Sequence, residues 1–175
     1  AGHSPHIAVR EDWLALEQEE VLFPNMPIVD PHHHLWDRPG SRYLFDELLA
    51  DARQGHRVQA TVFVQSRSMY SADEPDGLLK PVGEVEFANG VAARSASGLY
   101  GSFRACAAIV GSCDLMAGDR IEPVLDRMAA AGGERFRGIR NQTAWHEDPA
   151  IATNPVPPVQ GLLLEPAFRE GARRL

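Results

Sequence analysis

Four short runs of β-branched and apolar residues, each followed by a stretch of helical character, set the limits on what this chain can fold into. The runs are Ile28-Val29, Val58 to Val64, Phe103 to Val110 and Phe136 to Arg140. Strands need such residues with turn signals on either side. Gln65 and Ser66 close the second run and Gly111 closes the third. The third is nearly all apolar, which predicts burial on both faces. Between the strands, a helix is expected from Phe45 to Gln54, with Leu48, Leu49 and Ala52 inward and Gly55 as its stop. Another, rich in alanine, is expected from Glu84 to about Ser97. Asp119 and Glu122 form a D-x-x-E capping pattern ahead of a stripe of Ile121, Val124, Leu125, Met128 and Ala129, which Gly132-Gly133 ends. Pro166 suits the first residue of a last helix, within which the chain is expected to stop at Leu175.

Strands alternating with helices imply a parallel sheet with right-handed crossovers. Two α/β architectures fit: an open doubly wound sheet, or about four β-α units of a barrel. No G-x-G-x-x-G follows any strand, which weakens the dinucleotide-binding version of the open sheet. Residues 1–27 read as an N-terminal arm with a short helix, capped by Asp12 and carrying Trp13, Leu16 and Glu20 at helical spacing. Residues 28–175 read as one domain. His3 and His6 lie in the arm and receive no role.

The chemistry gathers at Ile28-Val29-Asp30-Pro31-His32-His33-His34-Leu35-Trp36-Asp37. Side chains alternate faces along a strand, so Asp30, His32 and His34 share one face and His33 takes the other. Two imidazoles two residues apart can reach one metal ion, zinc being the first candidate. The bland alternative is a surface or core histidine cluster. Pro31 fits only where the strand is already ending, because proline removes a ladder donor and avoids central strands. Two long connections flank the site. Arg67 to Gly83 carries Arg67 and Tyr70 just past Gln65, and Asn141 to Leu164 carries Pro149, Pro155, Pro157 and Pro158. Loops of this length inside a compact domain are often functional. Arg140 closes the fourth strand, and its planar guanidinium suits a carboxylate. Arg140, Arg67, Tyr70 and Gln65 are therefore the substrate-binding candidates. Each also has an ordinary structural reading, as an ion pair or a solvated loop residue. His56 precedes the second strand and falls on the opposite rim. His146 and Trp145 sit in the second long connection, where His146 could approach the site and Trp145 could pack the loop.

Asp30-Pro31-His32-His33-His34-Leu35-Trp36-Asp37 resembles the first-strand signature of the amidohydrolase-related family of TIM-barrel metal-dependent hydrolases, which includes sugar-acid lactonases and 2-pyrone-4,6-dicarboxylate lactonase. Gly83-Glu84-Val85-Glu86-Phe87, Ser95-Ala96-Ser97-Gly98-Leu99-Tyr100-Gly101 and Arg135-Phe136-Arg137-Gly138-Ile139-Arg140 extend the likeness, from about Asp12 to the last residue. The resemblance implies the N-terminal half of a (β/α)8 barrel, since a full barrel has eight strands and typically about 250 residues. It implies hydrolysis of a lactone or related acyl bond of a small acidic or sugar-acid substrate. His32 and His34 would be the catalytic histidines, with a divalent metal between them or with the histidines acting as hydrogen-bond donors. The further histidines and the water-activating acid of that family come from the fifth, sixth and eighth strands. Weak or no catalysis by this chain alone is therefore expected, and a non-catalytic half-barrel or an open α/β binding module is the alternative.

The 175 residues, 44% hydrophobic and 23% charged, suit one globular domain with a real core. A net charge of −7 argues against nucleic acid or an anionic membrane as partner. No apolar run approaches the length that crosses a bilayer, and no signal-peptide pattern opens the chain. Cys106 and Cys113 are too few for a disulfide framework and read as reduced packing residues. A cytoplasmic enzyme with a small-molecule substrate is the expectation. Four curved strands would leave two unpaired edges, so a homodimer or a covering second half is expected as well.

Overall fold

The computed structural model describes residues 9–151, 154 and 156–175; His3, His6 and Pro155 lie outside them. Its centre is a four-stranded, all-parallel sheet. The strands are β1 (Pro27–His33), β4 (Arg57–Val64), β5 (Arg104–Gly111) and β6 (Phe136–Ile139), side by side in that order. Each new strand is added beside the previous one, with no reversal of direction across the sheet. The crossovers carry α2 (Phe45–Ala52), α3 (Val82–Ala96) and α4 (Glu122–Gly132), and α5 (Pro166–Arg173) follows the last strand.

One side of the sheet packs under the helices. His33 and Phe63 are register partners, as are Phe63 and Ile109, and all three are buried on this side. Val85, Ala88 and Ala92 of α3 and Val124 and Met128 of α4 complete the core with Ile121 and Leu35. The other side is more open. Val29 is 58% exposed, and Ala60, Val62, Ala108 and Val110 are only half-buried. The chain as a whole exposes 11494 Å², whereas a compact monomer of its mass exposes about 8,400 Å². Strands β1 and β6 are the two edges. Pro27 and Pro31 stand in the edge strand β1, where a missing ladder donor is tolerated.

Several local expectations are corrected. A two-stranded antiparallel hairpin, β2 (Trp36–Arg38) and β3 (Ser41–Tyr43), follows β1 where only a polar turn was expected. Gly40, at φ +76°, makes its turn, and Trp36 stacks on Tyr43 with ring centroids 5.2 Å apart. Three-residue strands give almost no period-two signal to read. The short helix α1 (Glu11–Leu14) contains Asp12 in its first turn, has Arg10 at its N-cap position with no side-chain cap, and buries none of its residues. Asp119 does not cap α4. A 3₁₀ segment, Leu115–Ile121, runs directly into that helix, and the capping carboxylate is Asp114, which accepts from the Met116 N–H. Ala129 is exposed rather than on the buried stripe, and Leu125 is only half-buried. Strand β5 is not buried throughout: Ala107 is exposed, next to a bulge at Cys106, whose φ is +50°. Helix α2 ends at Ala52, and α5 ends at Arg173 rather than running to the last residue. Pro166 does open α5, and Cys106 and Cys113 are free and buried. Among the described residues, no helix is long and apolar enough to cross a membrane.

Candidate functional site

Strand β4 organises the site through its last residue, Val64, and the four residues that follow it. The carbonyl of Val64 accepts a hydrogen bond from His34 Nδ1 at 2.7 Å. The carbonyl of Gln65 accepts from Arg140 Nη2 at 2.6 Å. Ser66 gives its N–H to Glu84 Oε1 at 2.9 Å and its carbonyl to Arg38 Nη2 at 3.0 Å. Arg67 adopts φ +58°, and Ser68 gives a second N–H to the same Glu84 oxygen at 2.8 Å. The neighbouring backbones are fixed because the ladder continues past the strands: Gln65 N–H donates to Val110, and Arg140 N–H to Gly111.

His32, at the end of β1, and His34, just past it, bring their Nε2 atoms to 3.2 Å, with the rings edge to face. His33 is buried on the opposite side, its ring against Phe63 and its Nε2 3.7 Å from Cys106 Sγ. Asp30 spends Oδ1 on the His32 N–H at 3.0 Å. Arg140 Nη1 reaches to 3.4 Å from His32 Nε2. Three of the expected site residues thus converge at one rim, the end at which the parallel strands finish.

A carbonyl can only accept, so His34 Nδ1 carries a proton and its neutral ring presents a lone pair at Nε2. Burial holds the His34 pKa below the usual imidazole value, the Val64 carbonyl opposes this, and the Arg140 charge reinforces it. His32 Nε2 then donates to His34. Arg140, which stays charged, faces His32 with a donor of its own. The group is short of one acceptor and lies open to solvent at His32.

The Nε2 separation is near the roughly 3.3 Å spacing that two imidazoles take on a tetrahedral zinc with 2.0–2.1 Å bonds. The rest of the set does not fit a metal. The Arg140 guanidinium stands beside the shared nitrogen, and among the described residues no three His, Cys, Asp or Glu side chains converge. His56 is exposed ahead of β4. His146, also exposed, accepts the Asp148 N–H at Nδ1, and Trp145 is 40% exposed.

Arg67, Tyr70 and Gln65 fall together in a neighbouring cavity of about 470 Å³, walled by the two long connections and the ends of β4, β5 and β6. Arg67 reaches Gln142 Oε1 at 3.3 Å and Asn154 Oδ1 at 3.4 Å. Burial raises the Tyr70 pKa, helped by the Glu84 charge and opposed by a hydrogen bond with Ser112 and by Arg67. Gln65 links the two places. Its carbonyl holds Arg140, and the residue itself borders the cavity.

Glu84 is the important residue missed as a site element. It is 1% exposed, and Oε1 accepts from two N–H groups and the Ser66 hydroxyl. Consecutive backbone N–H groups around a left-handed residue make an anion-binding nest, and this nest holds a carboxylate of the chain itself. Burial raises the Glu84 pKa against those hydrogen bonds and against Arg140. Gly83 admits the loop: a Cβ there would stand 2.9 Å from Met69 O and Ser71 N. The available signal was an acid in line with the buried stripe Ala88, Val91, Ala92 and Ser95.

Compared with protein-family models, with curated proteins and with solved structures, the chain matches none.

Proposed function

We propose that the chain carries part of the site of a hydrolase that opens a lactone or related acyl bond of a small acidic substrate, and that its sheet is the N-terminal half of a (β/α)8 barrel. The observation that carries this reading is the donor-rich trio of His32, His34 and Arg140 at the strand ends. A substrate carbonyl oxygen is the acceptor the trio lacks. As water adds to the acyl carbon, the charge growing on that oxygen is met by the Arg140 guanidinium, whose Nη1 donor the trio leaves unmatched, the preorganised stabilisation on which acyl transfer depends. The acyl C–O bond then breaks, and the ring oxygen leaves as a hydroxyl after taking a proton. The products are a hydroxy carboxylate and one released proton. The water-activating acid is expected, by the family resemblance, from strands beyond the fourth. No step is routed through a metal, because the Arg140 guanidinium stands beside the nitrogens that His32 and His34 would offer one.

Supporting the barrel are the sequential strand order, with no switch point of the kind open α/β sheets use for ligands, and the exposed second face. The test is proton release from a panel of five- and six-membered lactones, read with a pH indicator. Weak turnover or none is expected, and any turnover above buffer should fall to the buffer rate in both His34→Ala and Arg140→Met. Where the unaltered chain shows none, the same lactones should still bind it more tightly than Arg140→Met; turnover unchanged in either variant, or equal binding by both proteins, overturns the proposal.

A further inference from the structure

The cavity beside the trio has its own chemistry. Gln65 is 2% exposed, lines the cavity, and its Oε1 has no hydrogen-bond partner. Buried acceptors of this kind are costly unless a donor arrives. Arg67 brings a positive charge whose recorded partners, Gln142 and Asn154, are neutral amides; among the described residues no carboxylate stands within 4.0 Å of it. The cavity also carries a carboxylate, Asp114, which is exposed to solvent and accepts from the Met116 N–H at Oδ1. The remaining walls are largely apolar, with Leu78, Pro81, Met116, Val159 and Leu162.

We infer that this cavity binds the acid end of an apolar-bodied hydroxy acid: a carboxylate on Arg67, a hydroxyl donor on Gln65 Oε1, and an aromatic or branched hydrocarbon body against the Leu78–Leu162 walls. A polyhydroxylated sugar acid does not fit, because its extra hydroxyls would lose water against carbon without finding partners. The volume suits a small ligand of this kind. The inference rests on the hydrolase reading only in making this ligand the acid portion of the substrate. The shared residue Gln65 ties the cavity to Arg140 and so to the reacting end.

The experiment is calorimetric titration of the full chain with three probes: 3-phenyllactate, 3-phenylpropionate, which lacks the hydroxyl, and gluconate, which lacks the apolar body. Phenyllactate is expected to bind at least about tenfold more tightly than either of the others. Arg67→Gln, a change at an exposed side chain, is expected to weaken it about tenfold or more without moving the melting temperature, as loss of a hydrogen-bonded charge partner should. Gluconate binding as tightly as phenyllactate, equal affinity for the deoxy analogue, or phenyllactate binding unchanged in Arg67→Gln overturns the inference. Lactone turnover sensitive to His34→Ala alongside absent phenyllactate binding would sink this inference and leave the hydrolase reading standing.

Discussion

Replacing Glu84 separates its two contributions, because one of its oxygens is fully used and the other is not. Oε1 accepts from Ser66 N, Ser66 Oγ and Ser68 N at 2.9, 3.2 and 2.8 Å, while Oε2 is buried with no partner. Glu84→Ala strands two backbone donors that water reaches poorly. Each costs about 1–3 kcal/mol, partly offset by removing a buried carboxylate, for a net loss of about 2–4 kcal/mol. Glu84→Gln keeps the Oε1 acceptor and removes the charge, so its cost should stay within about 1 kcal/mol. The two variants also differ in pH dependence. The folded-state pKa of Glu84 lies above the ordinary 4.5, with burial as the main cause. A raised carboxyl contributes its stability fully below the unfolded value, and that contribution is lost as pH rises through the folded one. The wild-type protein should therefore weaken relative to Glu84→Gln as pH climbs from below 4.5 towards neutrality. Urea unfolding across that range, with hydrogen exchange at the Ser66 and Ser68 amides, is the assay. Glu84→Ala within about 0.5 kcal/mol of wild type, with both amides still protected, would refute the nest.

His33 runs in the other direction: burial lowers its pKa from 6.5 to about 4, so stability present above 6.5 should fall by about 3 kcal/mol on acidification to pH 4, and urea titrations of His33→Gln should show that slope flattened. Gly171 has no room for a methyl group, because a Cβ would stand 2.3 Å from the Leu115 carbonyl oxygen; Gly171→Ala should cost about 2–3 kcal/mol by displacing α5, and an unchanged melt would show that the contact is loose. The open sheet face and the two free edges lead us to expect a homodimer in solution, which light scattering at several concentrations checks; a cooperative, folded monomer at low micromolar concentration would remove that expectation.

The alternation of β-branched runs and helical stripes carried most of the fold, because each strand core is long enough to show its composition. What stayed hidden was decided by contacts distant in sequence or by elements too short to have a period. The hairpin at Trp36–Tyr43 is three residues a side, and only its Gly40 turn left a local mark. Asp119 matched a capping pattern, yet the chain had already entered a 3₁₀ segment capped by Asp114. At the site, period-two spacing put His32 and His34 on one face, and the folded chain brings their Nε2 atoms together despite a register irregularity between Asp30 and His33. Arg140 was legible as a strand-ending cation, whereas its contact with His32 joins residues 108 positions apart. Glu84 was legible only as a charge on an apolar stripe; that it gathers Ser66 and Ser68 depends on a loop folding back over Gly83.

The polar groups of both candidate sites depend on where one short piece of backbone lies. Val64 orients His34, Gln65 orients Arg140, Ser66 orients Arg38 and Glu84, and Ser68 holds the same Glu84. The single hydroxyl proton of Ser66 is shared between Glu84 Oε1 and the Leu35 carbonyl, which ties the turn after the histidines to the same place. Strand alternation cannot produce this. Successive residues point to opposite faces, yet their carbonyls and amides stay within reach of neighbouring strands and of the helix start, so a strand end can address several elements at once. The arrangement has a cost in backbone conformation, with Arg67 at φ +58° and Met69 at φ +55°, and non-glycine residues hold such values only when their surroundings over-determine them. Here two ladder bonds, a buried carboxylate and a guanidinium do so. The strain lies between the imidazole pair and the cavity, and the same backbone that places Arg67 on the cavity wall holds Arg140 beside His32.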